Sequence, residues 1–146
     1  APWEFPAVAS FEVTAALGLA AKNAGALYHL GIAASSDTVW PGQERYDSFT
    51  GYVPRRFHGT MQEWQALGVL NYEMETSALF VTSQALGLEA GAVCGVVVKR
   101  TQSESVAPPD VYQRAFGYMV QVTRGAVELL LAADAASLAG DTYEKN

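Results

Sequence analysis

Three short polar segments contain the residues whose types and spacing could do chemistry. In the first, Gln43 and Arg45 are two positions apart, so an extended backbone directs both side chains to the same side. A glutamine amide offers one acceptor and two donors, and arginine offers a rigid set of donors. Together they match a ring that carries carbonyl, N–H and carbonyl groups in order, such as uracil. On residue types alone, a pair of solvated loop residues is the simpler interpretation.

The second segment places the carboxylates of Glu73 and Glu75 on either side of Met74. Glu75 lies where a predicted strand gives way to a predicted helix, so the helix dipole favours its ionised form. An ionised carboxylate suits the paired hydroxyl groups of a ribose. Charge complementarity at a helix N-terminus explains the same pattern. An acid and nucleophile pair for glycoside hydrolysis fits less well, because residues this close lie side by side and not across a scissile bond.

The third segment follows an apolar run that contains Val97 and Val98. Arg100 ends this run, and the polar residues 101–110 come after it. An arginine at the end of a strand is as consistent with a surface charge as with a ligand-binding group. The polar residues are equally consistent with a mobile lid and with an ordinary connector. The residue types leave both alternatives open.

Several common catalytic motifs are missing from the sequence. It contains no glycine-rich phosphate-binding loop, no GxSxG turn and no HExxH or CxxC metal motif. The two histidines, His29 and His58, are far apart in the chain. We therefore expect neither a serine hydrolase nor a metal site.

The composition is that of an ordinary soluble domain. Of the 146 residues 50% are hydrophobic, and the formal net charge of −6 argues against a general nucleic-acid-binding protein. No apolar stretch of about 18 residues is present, so we expect no membrane span. Cys94 is the single cysteine, which excludes a disulfide within the chain and is compatible with a reducing compartment. Because the chain opens with Ala1-Pro2 and no initiator methionine, we expect a processed or truncated chain.

The elements that must position the three segments alternate between helix and strand. Apolar periodicity and stop signals predict helices over residues 6–23, 60–68, 75–86 and 111–132. Strands are predicted over residues 28–34, 52–57, 70–72 and 92–98. A capping-box pattern, Thr60 to Glu63, is expected to open the second helix. Such alternation is typical of α/β folds, whose ligands collect at the carboxyl ends of the strands, where the three polar segments are predicted to lie.

In combination, three strings resemble the bacterial uridine phosphorylases, a group within the nucleoside phosphorylase I superfamily. They are SSDTVWPGQERYD, GVLNYEMETSALF and GVVVKRTQSE, and their order and spacing both fit. The resemblance runs from residue 1 to about residue 131 and covers the C-terminal part of the fold only, which leaves residues 132–146 as a tail. It implies an α/β chain that is part of a three-layer α/β/α fold with a central mixed sheet.

The resemblance implies which residues surround the base. Gln43 and Arg45 hold the imide edge of uracil and act as the catalytic residues, because they stabilise charge that develops on its carbonyl groups. Arg100 lies near the base and contacts it through water or through Arg45. Val97 and Val98 line the apolar wall of the pocket. Residues 101–109 correspond to the loop that folds over the bound nucleoside.

The resemblance also implies how the ribose is held. Glu75 binds the 2′- and 3′-hydroxyl groups, Met74 packs on the sugar, and Glu73 shapes the pocket. The sequence departs from the family at Val39, where a phenylalanine usually packs on the pyrimidine. Base–aromatic stacking is worth about 1–3 kcal/mol in nucleic-acid-binding proteins, so base affinity is expected to be weaker or the pocket roomier.

The implied reaction converts uridine and phosphate into uracil and ribose 1-phosphate, as a pentosyl glycosyltransferase of pyrimidine salvage. Inorganic phosphate is the co-substrate, and no metal or organic cofactor is expected. The family's phosphate-binding Gly-Asp-Pro loop belongs to the N-terminal half, which this sequence does not contain. The resemblance also implies a cytoplasmic hexamer that binds neither nucleic acid nor membranes.

Three alternatives remain open. A purine nucleoside phosphorylase of the same fold needs an acid for the purine ring where this chain has Gln43 and Arg45. A nucleosidase uses water in place of phosphate. A non-catalytic fragment or subunit binds nucleoside or only assembles.

Overall fold

The structure is a computed structural model and describes residue 2 and residues 4–141. The elements in chain order are α1 (Phe11–Asn23), β1 (Ile32–Ser35), a short 3-10 helix (Arg55–Phe57), α2 (Thr60–Ala66), β2 (Val69–Glu73), α3 (Thr76–Ala85) and α4 (Pro109–Asp141). The chain forms two compact units. One contains His29–Leu88, Arg100–Glu104 and the segment that ends at Val8, and the other contains Ala9–Tyr28, Glu89–Lys99 and the segment that begins at Ser105.

The first unit is built around two parallel strands. β1 pairs with β2 from Ile32 opposite Val69 to Ser35 opposite Glu73, with an irregularity after Ile32. Parallel strands need a crossover connection, and here it contains α2. Since the strands end opposite each other, the polar segments that follow them leave from the same edge of the sheet. The α/β class is thereby confirmed.

The second unit is built on the contact between α1 and α4. Its buried residues are small: Ala16, Ala20, Ala21, Val122 and Ala126. At Gly125 an added Cβ would lie 3.2 Å from the Cβ of Ala20, so the two helices pack with almost no intervening side chain. The two α4 residues in this core, Val122 and Ala126, lie within the helix that apolar periodicity predicted over residues 111–132.

The strand predicted over residues 92–98 is wrong. The structure has no regular element there. An added Cβ at Gly95 would lie 2.9 Å from Met119 Sδ, and the Gly95 N–H group donates to that sulfur. The carbonyl of Val97 accepts a hydrogen bond from Ala107 N–H at 2.7 Å. The backbone groups therefore find partners outside a strand ladder, which a β-branched run cannot indicate.

Other predicted elements needed smaller corrections. The strand predicted over residues 52–57 is wrong, because Pro54 precedes a 3-10 helix at Arg55–Phe57. The helices predicted to begin near residues 60 and 75 are confirmed as α2 and α3. α1 begins at Phe11, later than expected, and α4 runs through the expected end at residue 132 to Asp141. The predicted tail thus begins inside a helix, and residues 142–146 lie outside the described residues.

No helix in the described part of the chain is both long and apolar enough to cross a membrane. The same residues contain no group of three or more His, Cys, Asp or Glu side chains placed to bind a metal ion.

Candidate functional site

The segment after β1 turns sharply where the sequence predicted an extended backbone. The N–H of Glu44 donates to the Pro41 carbonyl at 3.2 Å, and that of Arg45 donates to the Trp40 carbonyl at 2.7 Å. Glu44 itself has a φ of 53°. The assumption that an extended backbone aligns Gln43 with Arg45 is therefore wrong. Both residues are nevertheless withdrawn from water: Gln43 is 6% exposed and the Arg45 side chain 12%.

One carboxylate lies between two guanidinium groups in this unit. Arg45 Nη1 donates to Glu104 Oε2 at 2.5 Å, and Arg100 Nε donates to both Glu104 oxygens at 3.0 Å. The Arg100 side chain is only 9% exposed, so its charge needs a partner. Glu104 couples the two arginines, and two guanidinium groups against one carboxylate leave a positive charge in excess.

Arg100 also binds the backbone of the turn. Its Nη1 donates to the Gln43 carbonyl at 2.6 Å, and its Nη2 donates to the Glu44 carbonyl at 3.2 Å. Its guanidinium carbon lies 5.6 Å from the ring centroid of Tyr72 in β2. Charge-assisted hydrogen bonds contribute about 1.5–3 kcal/mol each. Arg100 therefore connects the turn that contains Gln43 to the second strand.

Arg45 retains one donor that the protein does not satisfy. Its Nε atom is buried and has no hydrogen-bond partner among the described residues, and the same holds for the Tyr72 hydroxyl. Leaving a buried donor unpaired costs about 1–3 kcal/mol. A ligand carbonyl that reached this nitrogen after a local rearrangement would remove the cost. The free donor thus belongs to the residue that the sequence predicted to bind a base carbonyl.

The Glu44 carboxylate binds the start of α2. It accepts the N–H groups of Gly59 at 2.6 Å and Met61 at 2.8 Å, and the Thr60 hydroxyl at 3.3 Å. Burial alone raises the pKa of Glu44, but the hydrogen bonds from Met61 and Gly59 outweigh it and the pKa is lowered. The N-cap residue is Gly59, which has no side chain with which to cap the helix. The predicted capping box is therefore wrong, because Glu44 supplies the cap in place of Glu63.

Glu73 organises the turn between β2 and α3. Its carboxylate accepts the Ser35 hydroxyl and the N–H groups of Glu75 and Thr76, the last two at 2.7 Å and 2.6 Å. Burial raises the pKa of Glu73, but the hydrogen bonds from Ser35 and Thr76 lower it further than burial raises it. Ser35 Oγ in turn accepts the N–H of Ser77 at 2.9 Å. The end of β1 is thereby bound to the start of α3.

Glu75 and Met74 present their side chains to solvent from this turn. Glu75 is the N-cap residue of α3, as its position at the strand–helix junction predicted, but its side chain makes no capping bond. Within the described residues, its carboxylate accepts one hydrogen bond, from the Met74 N–H to Oε2 at 3.3 Å. Met74 is half-exposed. The Glu75 carboxylate is thus available to a ligand, whereas that of Glu73 is engaged within the protein.

The remaining predicted site residues are divided between the two units. Val39 belongs to the first unit and is exposed. Val97 and Val98 belong to the second unit, where both are half-buried. The first unit therefore contains all the polar site residues, while the two valines predicted to form the apolar wall lie in the second.

Sequence reasoning missed three residues that organise the site, namely Ser35, Glu44 and Glu104. Glu104 lies four positions after Arg100, a spacing that indicates an ion pair on a helix, but residues 101–110 were predicted as a polar connector or lid. Glu44 binds Gly59 and Met61, which lie too far along the chain for a local pattern to indicate them. Nothing in the local sequence marks Ser35, because its partners depend on strand pairing.

Comparison with known sequences places this geometry in a family. Residues 2–122 match the sequence profile of the Phosphorylase superfamily. The chain belongs to the phosphorylase superfamily. This match confirms the resemblance from which the site residues were assigned.

The similar proteins include several uridine phosphorylases. Those of Escherichia coli and Salmonella typhimurium are each 50% identical over 131 residues, which is 90% of this chain and 51% of the relative. The uridine phosphorylase of Haemophilus influenzae is 55% identical over 103 residues, 70% of this chain and 41% of the relative. The phosphorylase-superfamily chain thus spans about half the length of the curated relatives it matches.

Proposed function

We propose that this chain provides the nucleoside-binding part of a uridine phosphorylase, which transfers the ribosyl group of uridine to inorganic phosphate. The observation that carries the proposal is the buried Arg45 guanidinium. Glu104 holds one of its nitrogens, while its Nε–H remains without a partner among the described residues. Gln43 lies buried two positions away. The names of the similar proteins support uridine as the substrate.

In the proposed reaction the bond between ribose C1′ and uracil N1 breaks and its electron pair goes to the base. An oxygen of phosphate forms the new bond to C1′, and the proton that phosphate gives up ends on uracil. The base therefore gains negative charge in the transition state while the ribose gains positive charge. Arg45 and Gln43 stabilise the charge on the uracil carbonyls, and Glu75 holds the ribose hydroxyls.

The cluster of Arg45, Arg100 and Glu104 is electrostatically suited to this role. Its excess positive charge favours an anionic base over a neutral one. Because the arginines are already held in place, little reorganisation is needed as the charge develops. The chemistry requires no metal or organic cofactor, and phosphate is the co-substrate.

The finer properties follow from the family resemblance. We infer a cytoplasmic homohexamer that acts in pyrimidine salvage and binds nucleoside and phosphate, without nucleic acid or membrane as partners. The formal net charge of −6 supports the inference on nucleic acid. We expect the phosphate-binding residues to come from sequence outside these 146 residues.

The test is uracil release from uridine, measured with and without inorganic phosphate. Phosphate-dependent release supports the phosphorylase. Release without phosphate contradicts it and favours a nucleosidase. Absence of release combined with uracil binding by calorimetry is expected if the phosphate-binding residues lie outside these residues, and adding the N-terminal half should then restore release. If it does not, a non-catalytic subunit is favoured, and absence of both release and binding contradicts the nucleoside site.

A further inference from the structure

Glu44 lies between the two residues that we propose to bind uracil, and its backbone is left-handed. Its φ of 53° is the one positive value at a non-glycine position among the residues that the structure describes. Left-handed conformations are enriched at Asn, Asp and His and uncommon for other side chains. A left-handed residue changes the local path of the chain, so it sets the directions in which Gln43 and Arg45 leave the backbone. Such strain persists only where the surroundings hold it.

The carboxylate of Glu44 supplies much of what holds this conformation. It accepts the N–H groups of Gly59 and Met61 and the hydroxyls of Thr60 and Tyr46, at distances of 2.6, 2.8, 3.3 and 3.2 Å. The two N–H groups belong to the start of α2, and an ionised carboxylate is favoured at a helix N-terminus. The carboxylate is thus fixed to an element that lies outside the turn.

The opposite side of the same turn is held through its carbonyl groups. Arg100 donates to the Gln43 and Glu44 carbonyls at 2.6 and 3.2 Å. The backbone at Glu44 is therefore bound on one side by a buried guanidinium and on the other, through its own side chain, by α2. A residue that only capped α2 would need the carboxylate but would not need a left-handed backbone.

We propose that Glu44 is a positioning residue for base recognition: its carboxylate, bound to the start of α2, fixes the left-handed turn that orients Gln43 and Arg45 toward uracil. This inference rests on the proposed function and adds a residue to it. Glu44 does not contact the substrate and acts through its two neighbours.

Two variants and a matched control test the inference. Glu44→Gln removes the charge and turns an amide donor toward one of the α2 N–H groups. Glu44→Asp keeps the charge and tolerates a left-handed backbone, but it is a methylene too short to reach both N–H groups from the same turn. Glu63→Gln makes the same change as the first variant at an exposed position in the first turn of α2. Uracil affinity is measured by calorimetry and Tm by circular dichroism.

We expect Glu44→Gln to weaken uracil binding about tenfold and Glu44→Asp about fivefold, because a misplaced binding group loses affinity out of proportion to its shift. Glu44→Asp should lower Tm less than Glu44→Gln does, because it keeps the charge, and Glu63→Gln should keep its uracil affinity. In an active form of the enzyme, KM for uridine should rise while KM for phosphate stays constant.

A different pattern overturns the inference. If both Glu44 variants lower Tm but leave the uracil affinity of the folded protein unchanged, Glu44 is only a helix cap. If the unmodified chain does not bind uracil, the proposed function itself is contradicted. This result differs from failure of the present inference, in which the unmodified chain binds uracil and the Glu44 variants bind it equally well.

Discussion

At the scale of single residues, the site separates side chains that face a ligand from side chains that hold others in place. The Glu75 carboxylate is exposed and available to a ligand, and the buried Arg45 Nε–H has no partner among the described residues. Glu73 and Glu104 are satisfied by neighbouring protein groups. Mutations in the two groups should therefore change different measured quantities.

Arg45→Lys should lower kcat/KM for uridine about 100-fold, the scale on which loss of a preorganised charge-stabilising donor acts. Lysine keeps the charge but lacks the Nε–H donor and the planar fork that also binds Glu104. Arg114→Lys is the matched control, because Arg114 is exposed and pairs only with Asp110 among the ion pairs of the described residues. A similar loss in both variants would contradict a specific role for Arg45.

Glu75→Gln should raise KM for uridine about tenfold, because the variant loses the carboxylate that accepts hydrogen bonds from the ribose hydroxyls. The binding of uracil should not change, because uracil has no ribose. The measurement is a comparison of uridine and uracil affinities by calorimetry. Equal loss of both affinities would show that Glu75 acts on the fold of the turn and not on the sugar.

At the scale of elements, the two N-termini that flank the site are held by carboxylates from outside the helix concerned. Glu44 binds the start of α2, and Glu73 binds the start of α3. Both carboxyl groups have lowered pKa values. Their contribution to stability is therefore present above the ordinary carboxyl pKa and is lost as the pH falls through the lower value of the folded state.

The unmodified chain should accordingly lose stability as the pH falls below the ordinary value of 4.5. Glu73→Gln should lower Tm at pH 7 and reduce the fall in Tm over this acidic range, because the group that titrates there is gone. Thermal unfolding followed at several pH values makes the measurement. An undiminished acid dependence in the variant would contradict a stabilising role for ionised Glu73.

The contact between α1 and α4 makes a separate prediction about stability. Ala20→Leu should lower the free energy of unfolding by about 1–3 kcal/mol, because the buried Ala20 lies against Gly125 with no room for a larger side chain. Ala15→Leu is the same change at an exposed position of α1 and should be close to neutral. Urea unfolding of both variants checks this, and equal effects would contradict close packing at Ala20.

At the scale of the whole molecule, the length of the chain is as informative as its site. The chain spans about half of its curated relatives. Large apolar side chains are exposed in both units, among them Leu27 and Leu30. Exposed apolar surface of this kind commonly marks a region that another part of a protein covers.

The resemblance implies that the missing half is the N-terminal one. We therefore expect the N-terminal half of the Escherichia coli relative, supplied as a separate chain or as a fusion, to increase phosphate-dependent uracil release. That half should supply the phosphate-binding residues and cover apolar surface. The control is the same half alone. If the mixture releases no more uracil than its separate parts, the proposed completion of the site is wrong.

Much of the site's chemistry was predictable from residue types and short spacings. Glu75 lies at the strand–helix junction where the pattern predicted it, and α2 and α3 begin where helices were predicted. These features are local, since they depend on groups a few residues apart. The strand predicted over residues 92–98 failed because its backbone bonds to Met119 and Ala107 cannot be inferred from β-branched residues.

The sequence by itself determined the family, the residue types offered to a nucleoside and the order of the main helices. Only the tertiary structure decided which carboxylates are available and which are engaged. Nothing in the sequence separates Glu44, Glu73 and Glu104 from Glu75. The structure, however, binds these three carboxylates to donors that lie between two and 59 positions away along the chain. Hydrogen bonds of this kind depend on chain reversal and strand pairing, and these follow from the packing of the whole unit.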